Sequence, residues 1–315
     1  MRGPLGDRFD LCDKTDSFGK RTWETSESEM ARLCLSSLLV KARISHKEID
    51  LLVAGDLQNQ CVGSSVGLSS FGIPYLSVYG ACSTCTEALL IACAMQNAGA
   101  SNLAAAVTSS HNCAAERQFR TPLEYGSLRS PSAQWTATAA GAFLISKDEE
   151  IAKRLGSSAV IRDFMVGRVI DGATKDSSNM GGAMSFAAID SILTYFEHSD
   201  TDVKDFDYIV TGDLGYVGSS ILKEELGKVS SALASKHLDC GTLLYDGKKQ
   251  DIHAGASGCG TSAAVLSAYF LPMLEKGEIH DVLFLSTGAL MNPSSILQGN
   301  NIAGVAPVIH IQSTR

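Results

Sequence analysis

The sequence has no apolar run approaching the ~18 residues needed to cross a bilayer. It has no block of like charges and no low-complexity tract. With 45% hydrophobic and 19% charged residues, it does not read as disordered. Its formal net charge of −8, without a cluster of Lys or Arg, disfavours non-specific binding to nucleic acid or to anionic lipid. The opening segment MRGPLGDRFDLCDK lacks the apolar core of a secretory signal. A soluble chain is expected, reaching any membrane only through a partner. The HNC and HLDC segments fit no common metal spacing, and no EF-hand loop is visible for calcium. No metal and no cofactor is expected.

What is present is a chain of 315 residues, long enough to bury a large core. Its nine cysteines are odd in number and sit mostly among small, apolar residues. Free thiols in a reducing compartment are the natural reading. Cys82 and Cys85 form a CxxC with no second copy and no HxxxH pair, which disfavours zinc.

The main organisational signal is a repeat at half-length. Residues 49–57 read IDLLVAGDL and residues 206–214 read FDYIVTGDL. Each apolar run follows a stretch with three- and four-residue apolar spacing: SESEMARLCLSSLLVKA in the first half and AMSFAAIDSILTYFEHS in the second. Each run reads as a buried parallel strand with Gly-Asp at its carboxyl end. Downstream, a turn, a small-residue helix and a strand recur, ending near Ser109-Ser110 and Ser286-Thr287. Two βαβ-rich halves with right-handed crossovers follow, residues 1–157 and 158–315. The helix ACSTCTEALLIACAMQNAGA is small or apolar on every face, so it belongs inside the protein. Two such helices, one per half, can pack together between two sheets.

Cys82 stands at the strand-to-helix turn that opens this interior helix. Unpaired N–H groups and positive potential there favour a thiolate or a bound anion. That is how a nucleophile is activated. The plainer alternative is an inert core thiol.

GACSTCTEAL resembles the nucleophile turn of thiolase-superfamily condensing enzymes, with Cys82 at the reactive cysteine. GCGTSAAVL followed by LFLSTGALM is similar to their carboxyl-terminal helix and Gly-rich strand, in the order of the type III β-ketoacyl-carrier-protein synthases. The resemblance implies a duplicated thiolase-like α/β fold, five layers αβαβα, with sheets sandwiching the buried central helices. A closer resemblance is to the stage V sporulation protein AD family of spore-forming Firmicutes. It is carried by GPLGDRFD, AGDLQNQ, FGIPYLSVYGACST, SSHNCAAERQFRTPLEYG, VGRVIDGATKDSSNMG, TGDLGYVGSSILKEEL, KHLDCGTLLY and STGALMNPS. What the family implies is binding of dipicolinic acid (pyridine-2,6-dicarboxylate) and support of its uptake into the developing spore. It also implies work beside membrane proteins of the stage V sporulation A operon. Localisation would be cytoplasmic or peripheral on the forespore or spore inner membrane. Thiolase-like proteins pair through the first-half sheet, so a homodimer is expected. Family members carry roughly thirty earlier residues with a first strand, so a sheet edge here would need other cover.

The departures from the condensing enzymes bear on catalysis. Those enzymes keep a His where this chain has Gly212-Asp213-Leu214, and a second polar partner where it has Gly260, beside Cys259. Without two donors to hold the developing oxyanion, an acylated Cys82 could not form a carbon–carbon bond. Cys82 is then a vestigial nucleophile and no residue is assigned as catalytic. His111 is the best substitute imidazole, and His237 and His253 are weaker ones. Each also reads as a structural residue.

A planar dicarboxylate calls for arginine, whose fork matches a carboxylate. Arg117 and Arg120 lie one helical turn apart, and Arg168 opens the second half. Phe119 and Tyr125 could stack on the ring. The bland alternative pairs these arginines with Glu116, Glu124 and Asp171. Asp56 and Asp213 can cap loops or helices, as can Asn59 and Asn112. The expected ligand-binding set is Cys82, Ser83, His111, Asn112, Arg117, Arg120, Arg168 and Asp213. Calcium is the ion that could accompany the ligand. The rival reading is a cysteine-dependent acyltransferase working through Cys82.

Overall fold

The strand Leu51–Gly55 (β1) is buried along its whole length. Its residues alternate between two cores: Leu51 and Val53 face one, Leu52 and Ala54 the other. This period of two on a strand covered on both faces explains the unbroken apolar run. The computed structural model, which describes residues 3–119 and 129–315, builds two sheets on that pattern.

In the first sheet β1 lies between Tyr75–Ser77 (β2) and Ala104–Ser110 (β3), parallel to both. Ala139–Ile145 (β4) then adds antiparallel to β3, giving the order β2-β1-β3-β4. The second sheet holds Ala159–Met165 (β5), Tyr208–Thr211 (β6), His237–Asp239 (β7), Asp281–Leu285 (β8) and Val308–Ser313 (β9). Its order is β5-β9-β8-β6-β7. β6 runs parallel to β7 and β8, while β9 is antiparallel to β8 and β5. Without β5, order and directions match the first sheet, as the repeated sequence pattern predicts. Each sheet is mixed rather than purely parallel, because β4 in the first and β9 in the second run against their neighbours.

The helix Trp23–Ala42 (α1) covers the outer face of the first sheet, together with Val62–Leu68 (α2). The Thr22 side chain caps α1 by accepting from the Thr25 N–H, and Arg43 ends it in the left-handed conformation. Between the sheets lie Thr84–Asn97 (α3) and Cys259–Val265 (α7). α7 continues through a π-helical turn, Leu266–Phe270, into Leu271–Lys276. Asn112–Phe119 (α4) follows β3. Met180–His198 (α5) and Gly215–Val229 (α6) cover the far face of the second sheet. The layers are therefore α, β, α, β, α. The central core draws Leu89 from α3, Phe143 from β4 and Phe284 from β8, so the two halves share it.

Phe284 is fully buried in that shared core, whereas Val166 is 71% exposed. Phe284→Ala is expected to cost about 3–5 kcal/mol in urea denaturation. Val166→Ala should stay within about 0.5 kcal/mol.

Candidate functional site

The turn from the first sheet into α3 is held by its own side chains. Ala81 adopts φ 56°, a left-handed conformation that costs roughly 1–2 kcal/mol for a residue with a Cβ. The Ser83 hydroxyl lies 2.6 Å both from the Gly80 carbonyl oxygen and from Glu87 Oε1, and can donate to either. The Thr84 hydroxyl donates to the Ala81 carbonyl at 2.7 Å and accepts from the Gly80 N–H at 3.1 Å. These contacts seat Cys82, buried, two residues before the start of α3.

Facing Cys82 is Asp213, at the loop after β6. Its carboxylate accepts from the Gly258 N–H at 2.8 Å, the Thr287 hydroxyl at 3.0 Å and the Cys82 thiol. Burial raises the Asp213 pKa to about 7, and nearby Asp239 adds to the rise, against these three donors. Burial, and then the adjoining Asp213, push the Cys82 thiol well above its ordinary value. The expected stabilisation of a thiolate by the helix terminus is therefore corrected: desolvation beside a carboxylate outweighs it, and the thiol keeps its proton.

Asp239 fixes the loop that carries Asp213. It accepts from the Thr211 hydroxyl at 2.7 Å and from the N–H groups of Leu214 and Gly215 at 2.8 and 3.0 Å. His237 Nε2 lies 2.8 Å from the Thr211 hydroxyl. Burial pushes its pKa down to about 3, so it stays neutral. Two glycines close the site. A Cβ at Gly212 would collide with Ser262 Oγ and stand 2.9 Å from Ser286 Cα. A Cβ at Gly260 would collide with the Ala139 carbonyl and stand 2.6 Å from Ser110 Oγ. No larger side chain fits either position without moving backbone.

The second half repeats the thiol. Cys259 begins α7 and donates to the Ser109 carbonyl at 3.0 Å. Asp56, the counterpart of Asp213, accepts from the N–H groups of Gln58 and Ser64, both at 2.7 Å. Beside it lies Glu27, wholly buried, which accepts from Gln58 Nε2 at 2.6 Å and from the Ser109 hydroxyl at 3.1 Å. Burial, reinforced by Asp56, raises the Glu27 pKa to about 8. This carboxyl pair was not legible in the sequence. Glu27 sits in SESEM, which reads as a solvated helix start, and only its spacing from Met30 and Leu35 hints at an inward face.

The expected binding residues do not all converge. Cys82, Ser83 and Asp213 do. His111 is buried, with Nε2 3.0 Å from the Asp16 carbonyl. Asn112 is tied to the chain near β4: its N–H donates to the Thr138 hydroxyl and its Nδ2 to the Thr136 carbonyl. Arg117 pairs with Glu24 and lies 5.3 Å over the Trp23 ring. Arg168, two-thirds exposed, pairs with Asp190 at 2.5 Å. Both arginines therefore take the bland role, though with other carboxylates than Glu116 and Asp171. Arg120, Glu124 and Tyr125 lie outside the described residues. Among the described residues, no group of three or more His, Cys, Asp or Glu could hold a metal ion. No helix among them is long and apolar enough to cross a membrane.

The profile of the family described as stage V sporulation protein AD matches residues 1–312. The chain belongs to that family. It is 38% identical over 304 residues to the stage V sporulation protein AD of Bacillus subtilis strain 168, covering 96% of this chain and 88% of that one. Similar solved structures include a variant of Xanthomonas campestris OleA, with a TM-score of 0.62 at 14% identity over 98% of this chain and 91% of that one. Another is the 3-oxoacyl-[acyl-carrier-protein] synthase III of Aquifex aeolicus VF5, with a TM-score of 0.58 at 13% identity over 99% and 95%. At such identities these likenesses show the thiolase-like fold alone.

The raised Glu27 carboxyl predicts a loss of stability in alkali. Its folded pKa lies above the ordinary 4.5, at about 8. Its contribution is full below pH 4.5 and is lost as pH rises through about 8. Urea midpoints measured from about pH 5 to about pH 9 should fall with pH in the native chain, and Glu27→Gln should flatten that fall.

Proposed function

We propose that this member of the stage V sporulation protein AD family binds dipicolinic acid at the Cys82–Asp213 site and does not condense thioesters. The observation that carries the non-catalytic half is the pair Gly212 and Gly260 beside a protonated thiol. Resembling condensing enzymes keep a His where this chain has Gly212-Asp213-Leu214 and a second polar group where it has Gly260, and a Cβ at Gly212 or Gly260 has no room. A neutral thiol is a poor nucleophile, and neither Gly212 nor Gly260 supplies a side-chain donor for an enolate or oxyanion.

The ligand is proposed from family membership and from the chemistry of the turn. The start of α3 offers a positive helix end to a carboxylate. Asp213, with a pKa of about 7, can meet an anion as a proton donor instead of repelling it. Arg120 is proposed as a counter-charge on the strength of its sequence position. Arg117 and Arg168 would have to leave Glu24 and Asp190 to join it. Calcium is proposed as a companion of the ligand. Membrane proteins of the stage V sporulation A operon are proposed as partners at the spore inner membrane. Homodimerisation is proposed through the edge strand β2, whose Tyr75 and Leu76 are exposed.

Dipicolinate is expected to give a saturable calorimetric titration that weakens as pH rises through about 7, because the ionised Asp213 repels it. Asp213→Asn should remove that pH dependence. Replacing Arg117, Arg120 and Arg168 together with Gln should weaken binding by about tenfold or more, and an unchanged affinity rejects them. The acyltransferase reading has its own test. Intact mass after incubation with acetyl- or malonyl-coenzyme A should show no gain. A stoichiometric gain lost in Cys82→Ser would establish the rival.

A further inference from the structure

A single buried amide ties together two chain segments of the Cys82–Asp213 site. Gln134, 1% exposed, precedes the short strand Trp135–Thr136, which runs parallel to Ala256–Ser257. Its Nε2 donates to the Asp213 carbonyl at 2.7 Å and to the Ala256 carbonyl at 2.9 Å. The first segment carries the Asp213 carboxyl. The second leads in two residues to Gly258, whose N–H donates to that carboxyl at 2.8 Å. One amide therefore sets the spacing between the acid and its backbone donor. Chemistry fixes the way the amide points, since the reversed amide would turn its oxygen on two carbonyl oxygens.

The surroundings fit this side chain closely. A Cβ at Gly215, the first residue of α6, would stand 2.9 Å from Nε2. One at Gly181, in the first turn of α5, would stand 3.3 Å from Oε1. Oε1 itself meets no donor among the described residues. A buried acceptor without a donor is a cost that a methionine of similar length would not carry, so packing alone does not account for a glutamine here. Asp239 already holds the same loop through the Leu214 and Gly215 N–H groups, and the Asp213 carbonyl is left to Gln134.

We propose that Gln134 is a positioning residue for the ligand site: its two bonds hold the Asp213 loop against Ala256–Gly258 and keep water from the Asp213 carboxyl. Its use to a ligand rests on Cys82–Asp213 being the ligand site; its effect on Asp213 does not. Burial is the largest cause of the raised Asp213 pKa, ahead of the opposing donors. Loosening the loop therefore eases ionisation, even if the Gly258 bond is lost with it.

The test uses the full chain carrying carbon-13 at its aspartate carboxyls, with the Asp213 signal assigned by its loss in Asp213→Asn. The titration midpoint should lie at about 7 in the native chain. In Gln134→Met, which keeps the length and loses both donors, it should fall to about 6 or below. Gln134→Asn keeps the amide but is too short to reach both carbonyls, and should give a smaller fall. Leu35→Ala, in the outer core of the first half, destabilises the chain away from this loop and should leave the midpoint in place. The proposal is overturned if the midpoint stays put in Gln134→Met or, should that variant not fold, in Gln134→Asn. It is equally overturned if Leu35→Ala moves the midpoint as far, or if the native midpoint already lies below about 6. Calorimetry with dipicolinate separates the two readings. Where the native chain binds it, Gln134→Met should bind about tenfold more weakly, and equal affinity overturns the positioning role. A native chain that does not bind it ends the ligand reading of Cys82–Asp213, and the Asp213 midpoint then decides Gln134 alone.

Discussion

The packing of two interior helices between two sheets is the constraint on which the molecule rests. α3 and α7 each touch the strand ends of the opposite half. Ser286 N–H donates to Thr86 Oγ1 at 2.9 Å, and the Thr86 hydroxyl donates onward to Ser286 Oγ at 2.9 Å. On the other side Gly260 N–H donates to Ser110 Oγ at 3.2 Å. These contacts bind residues far apart in sequence, and they require Gly, Ser, Thr and Cys where a larger side chain would drive the backbones apart. Hydrogen bonds from one half thus close the helix starts of the other, and desolvation follows wherever they close.

That desolvation decides the chemistry. The place where Cys82 stands, at the head of a helix, would suit a reactive thiol if water reached it. Instead the sulfur lies against Asp213, and both groups hold their protons more tightly than in water. The same packing removes room at Gly212 and Gly260. Asp239 and its donors then fix the Asp213 loop. The Asp56–Glu27 pair in the other half follows the same physics. Two carboxyls share a buried space, and the protein carries them through hydrogen bonds and protonation.

Much of the fold was legible. The paired LLVAG and YIVT runs, each followed by Gly-Asp, marked the strands, because a strand buried on both faces has no polar alternation to hide it. The helix at Cys82 was recognisable as interior because Ala88 and Ala92 leave it no polar face. The site was legible only in part. Cys82 and Asp213 stand at strand-to-helix turns, where spacing betrays them. Glu27 lies on a helix whose neighbours look solvated, and nothing in spacing shows that Gln58 and Ser109 reach it from other elements. Arg117 and Arg168 were read for their charge, yet charge does not say which carboxylate is nearest, and Glu24 and Asp190 claimed them.

The order of residues alone was enough to set the class of fold, its duplication and the groups at the head of each interior helix, because hydrophobic period and turn chemistry are local properties. Three features waited on the packed molecule: the protonation of Cys82, the contact of His111 with Asp16 and the acid pair at Glu27. Each of these depends on which groups from distant parts of the chain exclude water from one another. Exclusion of water is a property of the packed assembly and not of any segment within it.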